Sequence, residues 1–264
     1  MAEHIRIGAL ISGGGSNLQA IIEACAAKQI DGHVVFVGSD DPLAPGLDRA
    51  RGHGIATFVV DYKAVFKRAE RQPLDELIPD DFDLDKILAL QCLVPAASDR
   101  RRMARYFGIR AVAEAALLKE MATHSFDLLV LAGFMRVLTP YFIDRINADP
   151  SLPRIMNIHP ALLPSFRGTD GYGDTYRYGC KVGGCTVHFV DYGEDTGAII
   201  GQRAFEIEPG DTIETVREKG LKLEWELYPA CIQLFAKRRL RVLAKTYRAV
   251  EGTVSSRKVV EIVS

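Results

Sequence analysis

The chain has 264 residues, of which 48% are hydrophobic and 25% are charged, and these are the proportions of an ordinary soluble globular protein. A chain of this length buries a large core without disulfide or metal crosslinks. Its formal net charge of −1 provides no general attraction to nucleic acid or to an anionic membrane, so neither is expected as a partner. Any anion must therefore bind at a local site.

The five cysteines are widely spaced, and none belongs to a CxxC pair or a Cys/His cluster of the kind that binds zinc. We expect reduced, mostly buried thiols, as in a cytoplasmic protein. The first residues lack the basic and apolar regions of a signal peptide, and no apolar run approaches the ~20 residues that span a bilayer. The sequence therefore predicts a cytoplasmic protein without a metal.

Short apolar runs alternate with amphipathic segments through the first half of the chain. Strands are predicted at 5–11, 34–38, 56–60, 128–132 and 155–158, and helices at 18–27, 44–53 and 140–147. Such alternation predicts an α/β fold with a Rossmann-like, doubly wound and mainly parallel sheet. The ligand crevice of such a sheet lies beyond the carboxyl ends of the strands.

Residues 63–110 interrupt this alternation with an acidic run and then a basic run. The acidic residues favour the start of a helix at 84–94, because negative charge stabilises a helix N-terminus. We interpret 63–110 as an inserted helical segment with solvated charged faces. A lid or a subunit contact is the alternative, and a homodimer stays open.

The pattern changes after residue 160. Prolines and glycines first mark a long irregular segment, and alternating polarity at 185–190 and 198–207 then predicts antiparallel strands. A long helix is predicted at 212–236, and the tail at 245–264 forms either an extra strand or a loose end.

A glycine-rich turn, residues 13–17, joins the first predicted strand to the first helix. Glycines permit a tight turn and leave several N–H groups at the helix N-terminus aimed at one point, which suits a phosphate. The spacing is neither that of a Walker A motif nor GxGxxG. A plain turn with Ser16 or Asn17 as a helix cap is the alternative.

Asn157 and His159 lie two residues apart on a predicted strand, so their side chains point to the same side. An amide N–H can stabilise an oxyanion, and an imidazole can move a proton near neutral pH. Asp195 lies in a predicted turn, where it could orient the imidazole or bond its own backbone. Together the three side chains indicate acyl transfer. Because GxSxG and a nucleophilic cysteine motif are missing, direct attack by an amine is favoured. His188 is interpreted as a residue that packs in the core or supports a neighbouring site residue.

Five motifs occur in a fixed order: GGGSNLQAII, LAGFMRVLTP, RIMNIHPALLP, GCTVHFVDYGEDTGAII and ELYP. They resemble the phosphoribosylglycinamide formyltransferase family, folate-dependent enzymes of purine synthesis, over nearly all of the chain outside 63–110 and the tail. The resemblance implies that a formyl group passes from the co-substrate 10-formyltetrahydrofolate to the amine of glycinamide ribonucleotide, without a metal. It also implies that residues 1–160 hold the nucleotide phosphate and that residues 161–264 complete the folate cleft.

The resemblance further implies a role for each site residue. Asn157 and His159 bind the formyl carbonyl, Asp195 raises the pKa of His159 by its opposite charge, and Glu224 lies near the ribose or the glycinamide. The phosphate is assigned to Gly15, Ser16, Asn17 and Arg68, and the folate to Met135, Arg136, Val137, Leu138, Tyr192, Gly193 and Glu194.

Departures from the family pattern leave the acceptor open. Residues 169–174 replace a histidine-containing stretch, Leu221 stands where the family often has Gln, and the insertion makes the alignment of Arg68 ambiguous. One alternative is a formyltetrahydrofolate hydrolase that uses the same three residues with water. A formyltransferase acting on another amine, such as an amino sugar nucleotide, is the second, and a non-catalytic nucleotide-binding module is the third.

Overall fold

The computed structural model of the protein describes residues 4–95, 97–147, 149, 152–248 and 252–264. The strands are β1 (Ile5–Ile11), β2 (Gly32–Ser39), β3 (Ala56–Val59), β4 (Leu128–Leu131), β5 (Ile155–His159), β6 (Val182–Phe189), β7 (Ile199–Glu206), β8 (Leu240–Arg248) and β9 (Val254–Ile262). The helices are α1 (Ser16–Ala26), α2 (Gly46–Gly52), α3 (Tyr62–Arg71), α4 (Leu84–Leu90), α5 (Arg100–Met121), α6 (Pro140–Ile146), α7 (Gly171–Arg177) and α8 (Ile213–Ala236), with a short 3-10 turn at Leu74–Glu76. No helix of this described part is long and apolar enough to cross a membrane.

Seven strands form one sheet in the order β3-β2-β1-β4-β5-β6-β7. The first five are parallel, and β6 and β7 are added in antiparallel pairing. This confirms the predicted α/β fold, with its mainly parallel sheet, antiparallel strands and long C-terminal helix. The strand order reverses beside β1, so the carboxyl ends of β1 and β4 border the crevice in which doubly wound sheets bind ligands.

Alternate residues of the central strands point to opposite faces of the sheet, as strand geometry requires. In β1, Ile7 and Ile11 enter a core cluster with α1 and α8, whereas Leu10 enters a second cluster with α5 and α6. In β4, Val130 and Leu131 divide between the same two clusters. Both faces are therefore covered by helices, which is why the central strands are apolar throughout.

The inserted segment 63–110 contains most of α3, the 3-10 turn, all of α4 and the first half of α5, joined by non-helical stretches, while residue 96 lies outside the described part. Its apolar side chains, among them Ile87 and Phe107, form a third core cluster that includes Tyr141 of α6. The segment is thus packed against the sheet domain. The division of the chain at residue 160 stays a prediction.

The predicted irregular segment after β5 contains the helix α7, so the expectation of an irregular stretch was wrong there. Two glycines in seven residues give the helix a poor intrinsic propensity. Contacts that spacing alone does not reveal offset this: Arg177 pairs with Asp170 and Asp174, and the hydroxyl of Thr175 donates to the Gly171 carbonyl.

The tail forms a two-stranded antiparallel hairpin, β8–β9, which starts at Leu240, before the predicted tail begins. Val242 and Val260 pack against the core, and most of the distal residues of both strands are exposed. Residues 249–251 of the predicted tail lie outside the described residues.

Tyr228 of α8 forms hydrogen bonds to the two central strands β4 and β5. Its ring is fully buried, and its hydroxyl lies 2.8 Å from the Met156 carbonyl oxygen and 3.2 Å from that of Leu131.

Tyr228→Phe removes the donor and should lower the free energy of unfolding by about 1–3 kcal/mol, measured by urea denaturation. The matched control Tyr247→Phe, on the exposed hairpin, should change it little; equal losses in the two variants would contradict the assignment.

Candidate active site

A cleft of about 430 Å³ opens beside the carboxyl ends of β4 and β5. Two walls come from the loops after these strands, and the others come from the loop after β6, the start of α7 and one face of α8. Predicted site residues that line the cleft are Asn17, Met135, Arg136, Val137, Leu138, Asn157, His159, Gly193, Glu194, Asp195 and Glu224. Gly15, Ser16, Arg68 and Tyr192 are predicted site residues that are not part of the lining.

His159 and Asp195 meet at the floor of this cleft. The imidazole Nδ1 lies 3.2 Å from the Asp195 Oδ2, and Nε2 lies 2.8 Å from the Phe166 carbonyl oxygen. Asp195 reaches this position from a left-handed backbone conformation (φ 52°), which aspartate tolerates better than most residues. The Gly168 N–H donates to the same carboxylate oxygen at 3.1 Å. Two loops separated by 27 residues therefore hold the carboxylate against the imidazole.

Burial lowers the pKa of His159 below its ordinary value, although the charge of Asp195 and the Phe166 carbonyl act in the opposite direction. The side chain is only 3% exposed, which is why desolvation outweighs the carboxylate. The charge of Asp195 raises this pKa, as the resemblance implies, but the effect of burial is larger, so the net shift is downward. Both ring nitrogens of His159 face acceptors, so Asp195 and the Phe166 carbonyl favour the imidazolium, whereas burial opposes it.

Asp195 is held in its charged form. Burial alone would raise its pKa, but the neighbouring His188, the charge of His159 and the Gly168 N–H together lower it below the ordinary value. An ionised carboxylate beside a buried imidazole is the arrangement that a proton-transferring histidine needs.

His188 orients the Asn157 side chain. Its Nδ1 lies 2.8 Å from the Phe189 carbonyl oxygen, which can only accept, so we assign the proton to Nδ1. Nε2 lies 3.3 Å from the Asn157 amide nitrogen, from which it can accept an N–H, and 3.6 Å from Asp195 Oδ1. The second N–H of that amide stays available to a ligand. His188 also lines the cleft.

Asn17 and Glu224 lie together on another wall of the cleft. The Asn17 amide donates to Glu224 Oε2 at 2.6 Å, so this side chain does not cap α1. Gly15 takes the N-cap position with φ 70°, and a Cβ there would lie 2.9 Å from the Gly46 Cα. The first turn of α1 has no side-chain cap hydrogen bond, which rules out the capped-turn alternative and suits an anion.

Arginines other than the predicted Arg68 lie near these groups. Arg68 lies on α3, outside the lining of the cleft, whereas Arg49 on α2 donates to the Gly14 carbonyl at 2.8 Å, directly on the glycine turn. Arg217 of α8 lines the cleft. The helical spacing of Arg217, Leu221 and Glu224 could have identified it from the sequence.

The loop after β4, residues 133–139, carries the predicted folate residues and is anchored by three polar side chains. Ser12 Oγ accepts the Met135 N–H at 2.8 Å, and the buried Asp40 accepts the Arg136 Nε–H at 2.5 Å. Glu114 of α5 accepts both the backbone N–H and the hydroxyl of Thr139, at 2.7 and 2.6 Å. The hydroxyl of Tyr192 donates to Asp144 at 2.6 Å, and its carbonyl accepts the Cys92 N–H of the inserted segment.

The buried carboxyl of Glu114 should make the free energy of unfolding depend on pH. It is 1% exposed, and burial raises its pKa from 4.5 to about 7 against the hydrogen bonds from Thr139. Between these values the folded carboxyl keeps a proton that the unfolded chain releases, so unfolding free energy falls as pH rises through this window, by on the order of 3 kcal/mol in total. Glu114→Gln should lack this loss when urea denaturation is compared at pH 5 and pH 7.5.

The matched control is Glu120→Gln, at an exposed position of the same helix. It should retain the pH dependence of the wild type. A Glu114→Gln variant whose stability follows the wild-type pH profile would show that Glu114 titrates normally in the folded protein.

Among the described residues, no group of three or more histidine, cysteine, aspartate or glutamate side chains could hold a metal ion. The cleft contains an amide donor, a buried imidazole and a carboxylate. An α/β fold with these groups in its crevice is that of a group-transfer enzyme.

Comparisons with known proteins show the family to which the chain belongs. The sequence matches the formyl transferase family over residues 5–232, and the chain belongs to that family. It is 31% identical to the phosphoribosylglycinamide formyltransferase of Bacillus subtilis, covering 84% of this chain and 90% of that protein. The resemblance noted in the sequence is thus confirmed.

Two further similarities set the extent of the match. The chain is 33% identical to the bovine trifunctional purine biosynthetic protein adenosine-3, covering 90% of this chain but only 19% of that relative. The structure of glycinamide ribonucleotide transformylase 1 from Symbiobacterium toebii superposes with a TM-score of 0.72 at 34% identity, covering 100% of this chain and 96% of that one. The similarity therefore includes the inserted segment and the C-terminal hairpin.

Proposed function

We propose that this protein transfers the formyl group of 10-formyltetrahydrofolate to the amine of glycinamide ribonucleotide, as a cytoplasmic enzyme of de novo purine synthesis. The observation that carries the proposal is the meeting of Asn157, His159 and Asp195 in one cleft of a formyl transferase fold. The names of the Bacillus and Symbiobacterium relatives support the choice of acceptor.

The proposed reaction is a direct attack of the acceptor amine on the formyl carbon. A C–N bond forms, and the carbonyl oxygen gains negative charge that the free N–H of Asn157 stabilises. His159 moves a proton from the attacking amine to the folate N10 as the bond from carbon to N10 breaks. Asp195 stabilises the imidazolium between these two transfers. The proton lost by the amine is the proton gained by the folate, so no metal or covalent enzyme intermediate is required.

The cleft offers a place for each substrate. We assign the folate to the anchored loop with Met135, Arg136, Val137 and Leu138, facing Gly193 and Glu194. The acceptor lies at the wall that contains Asn17 and Glu224, with its phosphate at the N–H groups of Gly15, Ser16 and Asn17. Arg68 lies outside the cleft lining, so Arg49 and Arg217 are the better candidates for a cation near the phosphate.

The amide of Asn157 is expected to stabilise mainly the transition state, and to contribute little to substrate binding. Asn157→Ala removes one oxyanion donor and should lower kcat roughly 10²–10³-fold with little change in either KM. Steady-state kinetics with both substrates varied would measure this. A large rise in KM at unchanged kcat would instead assign Asn157 to ground-state binding.

Proton transfer through His159 gives a separate test. His159→Ala should lose most formyl transfer to glycinamide ribonucleotide, whereas the control His53→Ala, on an exposed position at the end of α2, should keep it. Product formation is followed by release of tetrahydrofolate and by mass of the formylated amine. Equal rates in the wild type and His159→Ala would remove His159 from the mechanism.

A hydrolase that releases formate would use the same three residues with water as the attacking group. The uncapped first turn of α1 beside Asn17 favours a phosphate-bearing acceptor over water. Adding glycinamide ribonucleotide should raise folate turnover sharply for the transferase and leave that of a hydrolase unchanged. An amino sugar nucleotide in the same assay tests the other acceptor class. Sedimentation analysis tests the homodimer that the sequence leaves open.

A further inference from the structure

Tyr172, the second residue of α7, is a buried side chain at the acceptor wall of the cleft. It is 5% exposed, and its hydroxyl donates to Glu224 Oε1 at 2.7 Å. The ring lies on α8 at Gly220, where a Cβ would come within 2.1 Å of the Tyr172 ring. The missing side chain at Gly220 is therefore what admits the tyrosine ring to this position.

The hydroxyl of Tyr172 completes the coordination of a buried carboxylate. Glu224 is 4% exposed, and its other oxygen accepts the Asn17 amide at 2.6 Å. Burial raises the pKa of Glu224, and these two hydrogen bonds act against that shift. Donors from two separate elements, α1 and α7, thus fix the plane of the carboxylate. Its remaining lone pairs are available to ligand hydroxyl groups in the cleft.

A second contact joins the same short segment to α8. Asp170, just before α7, accepts Arg217 at 3.0 Å, and both residues line the cleft. Arg217, Leu221 and Glu224 are spaced along one face of α8. The segment 170–172 therefore contacts this face at two points, one on each side of Leu221, and belongs to the stretch in which the sequence departs from the family pattern.

We propose that Tyr172 is a positioning residue that holds Glu224 for the vicinal hydroxyl groups of a ribosyl phosphate acceptor, and so determines acceptor affinity. The inference rests on the proposed function, because it assumes that this wall receives the acceptor and not the folate. Tyr172 itself takes no part in the transfer of the formyl group.

The test is a comparison of kinetic constants for the two substrates. Tyr172→Phe keeps the ring and removes the hydroxyl, so the KM for glycinamide ribonucleotide should rise roughly tenfold, while kcat and the KM for 10-formyltetrahydrofolate stay within about twofold. The control is Tyr176→Phe on the same helix, whose more exposed hydroxyl lies 3.2 Å from the Asp211 carbonyl oxygen. It should leave all three constants unchanged.

A second variant disturbs the contact between Tyr172 and Glu224 by a substitution on α8. Gly220→Ala improves helix propensity but forces the Tyr172 ring away from α8, so it should reproduce the selective rise in acceptor KM with the tyrosine intact. In the Glu224→Gln background, Tyr172→Phe should cause a smaller further change than in the wild type, because the two residues act through one contact.

The possible outcomes distinguish the role of Tyr172 from the proposed formyl transfer itself. An unchanged acceptor KM in Tyr172→Phe, with normal turnover in the wild type, overturns the role of Tyr172 and leaves the proposed function intact. A rise confined to the KM for the folate places the acceptor elsewhere and also overturns the inference. A wild type with no turnover dependent on glycinamide ribonucleotide overturns the proposed function and this inference together.

Discussion

The contact between the imidazole of His159 and the carboxylate of Asp195 depends on the pairing of two strands and on the loops that follow them. His159 ends β5, and Asp195 lies in the loop after β6, so the two meet only because β6 returns antiparallel beside β5. The carboxylate also needs the left-handed backbone at residue 195 and the N–H of Gly168 from the loop before α7. The parallel half of the sheet supplies the base, and the antiparallel addition supplies the charge that orients it.

Buried carboxylates recur around the cleft, and each is tied to the element that it positions. Asp40 holds the Arg136 side chain, Glu114 holds Thr139 at the end of the same loop, and Glu224 is held by Asn17 and Tyr172. An isolated buried carboxylate is costly, so each of these groups is stable only while its donors stay in place. The walls of the cleft are therefore fixed by polar contacts as well as by apolar packing, and this favours a preorganised site.

Local patterns allowed the parallel half of the fold to be predicted well. The first predicted strand has the observed bounds, because an apolar run that ends in three glycines has few other interpretations. The spacing of Asn157 and His159 similarly placed both side chains on one side of a strand. Contacts between distant segments were beyond such patterns: Tyr172 and Glu224 are 52 residues apart, and the contact of Arg49 with the glycine turn depends on how α2 packs beside it.

The pKa of His159 shows why a list of residues is insufficient even when all of them are correct. The sequence suggested the carboxylate, but the burial that opposes it is a property of the assembled cleft. The two ring nitrogens face the Asp195 carboxylate and the Phe166 carbonyl, and both partners favour the protonated ring. Burial of the ring favours the neutral form instead. Ion pairing and desolvation thus act on His159 in opposite directions, and which of them is larger depends on the packing of the loops around the ring.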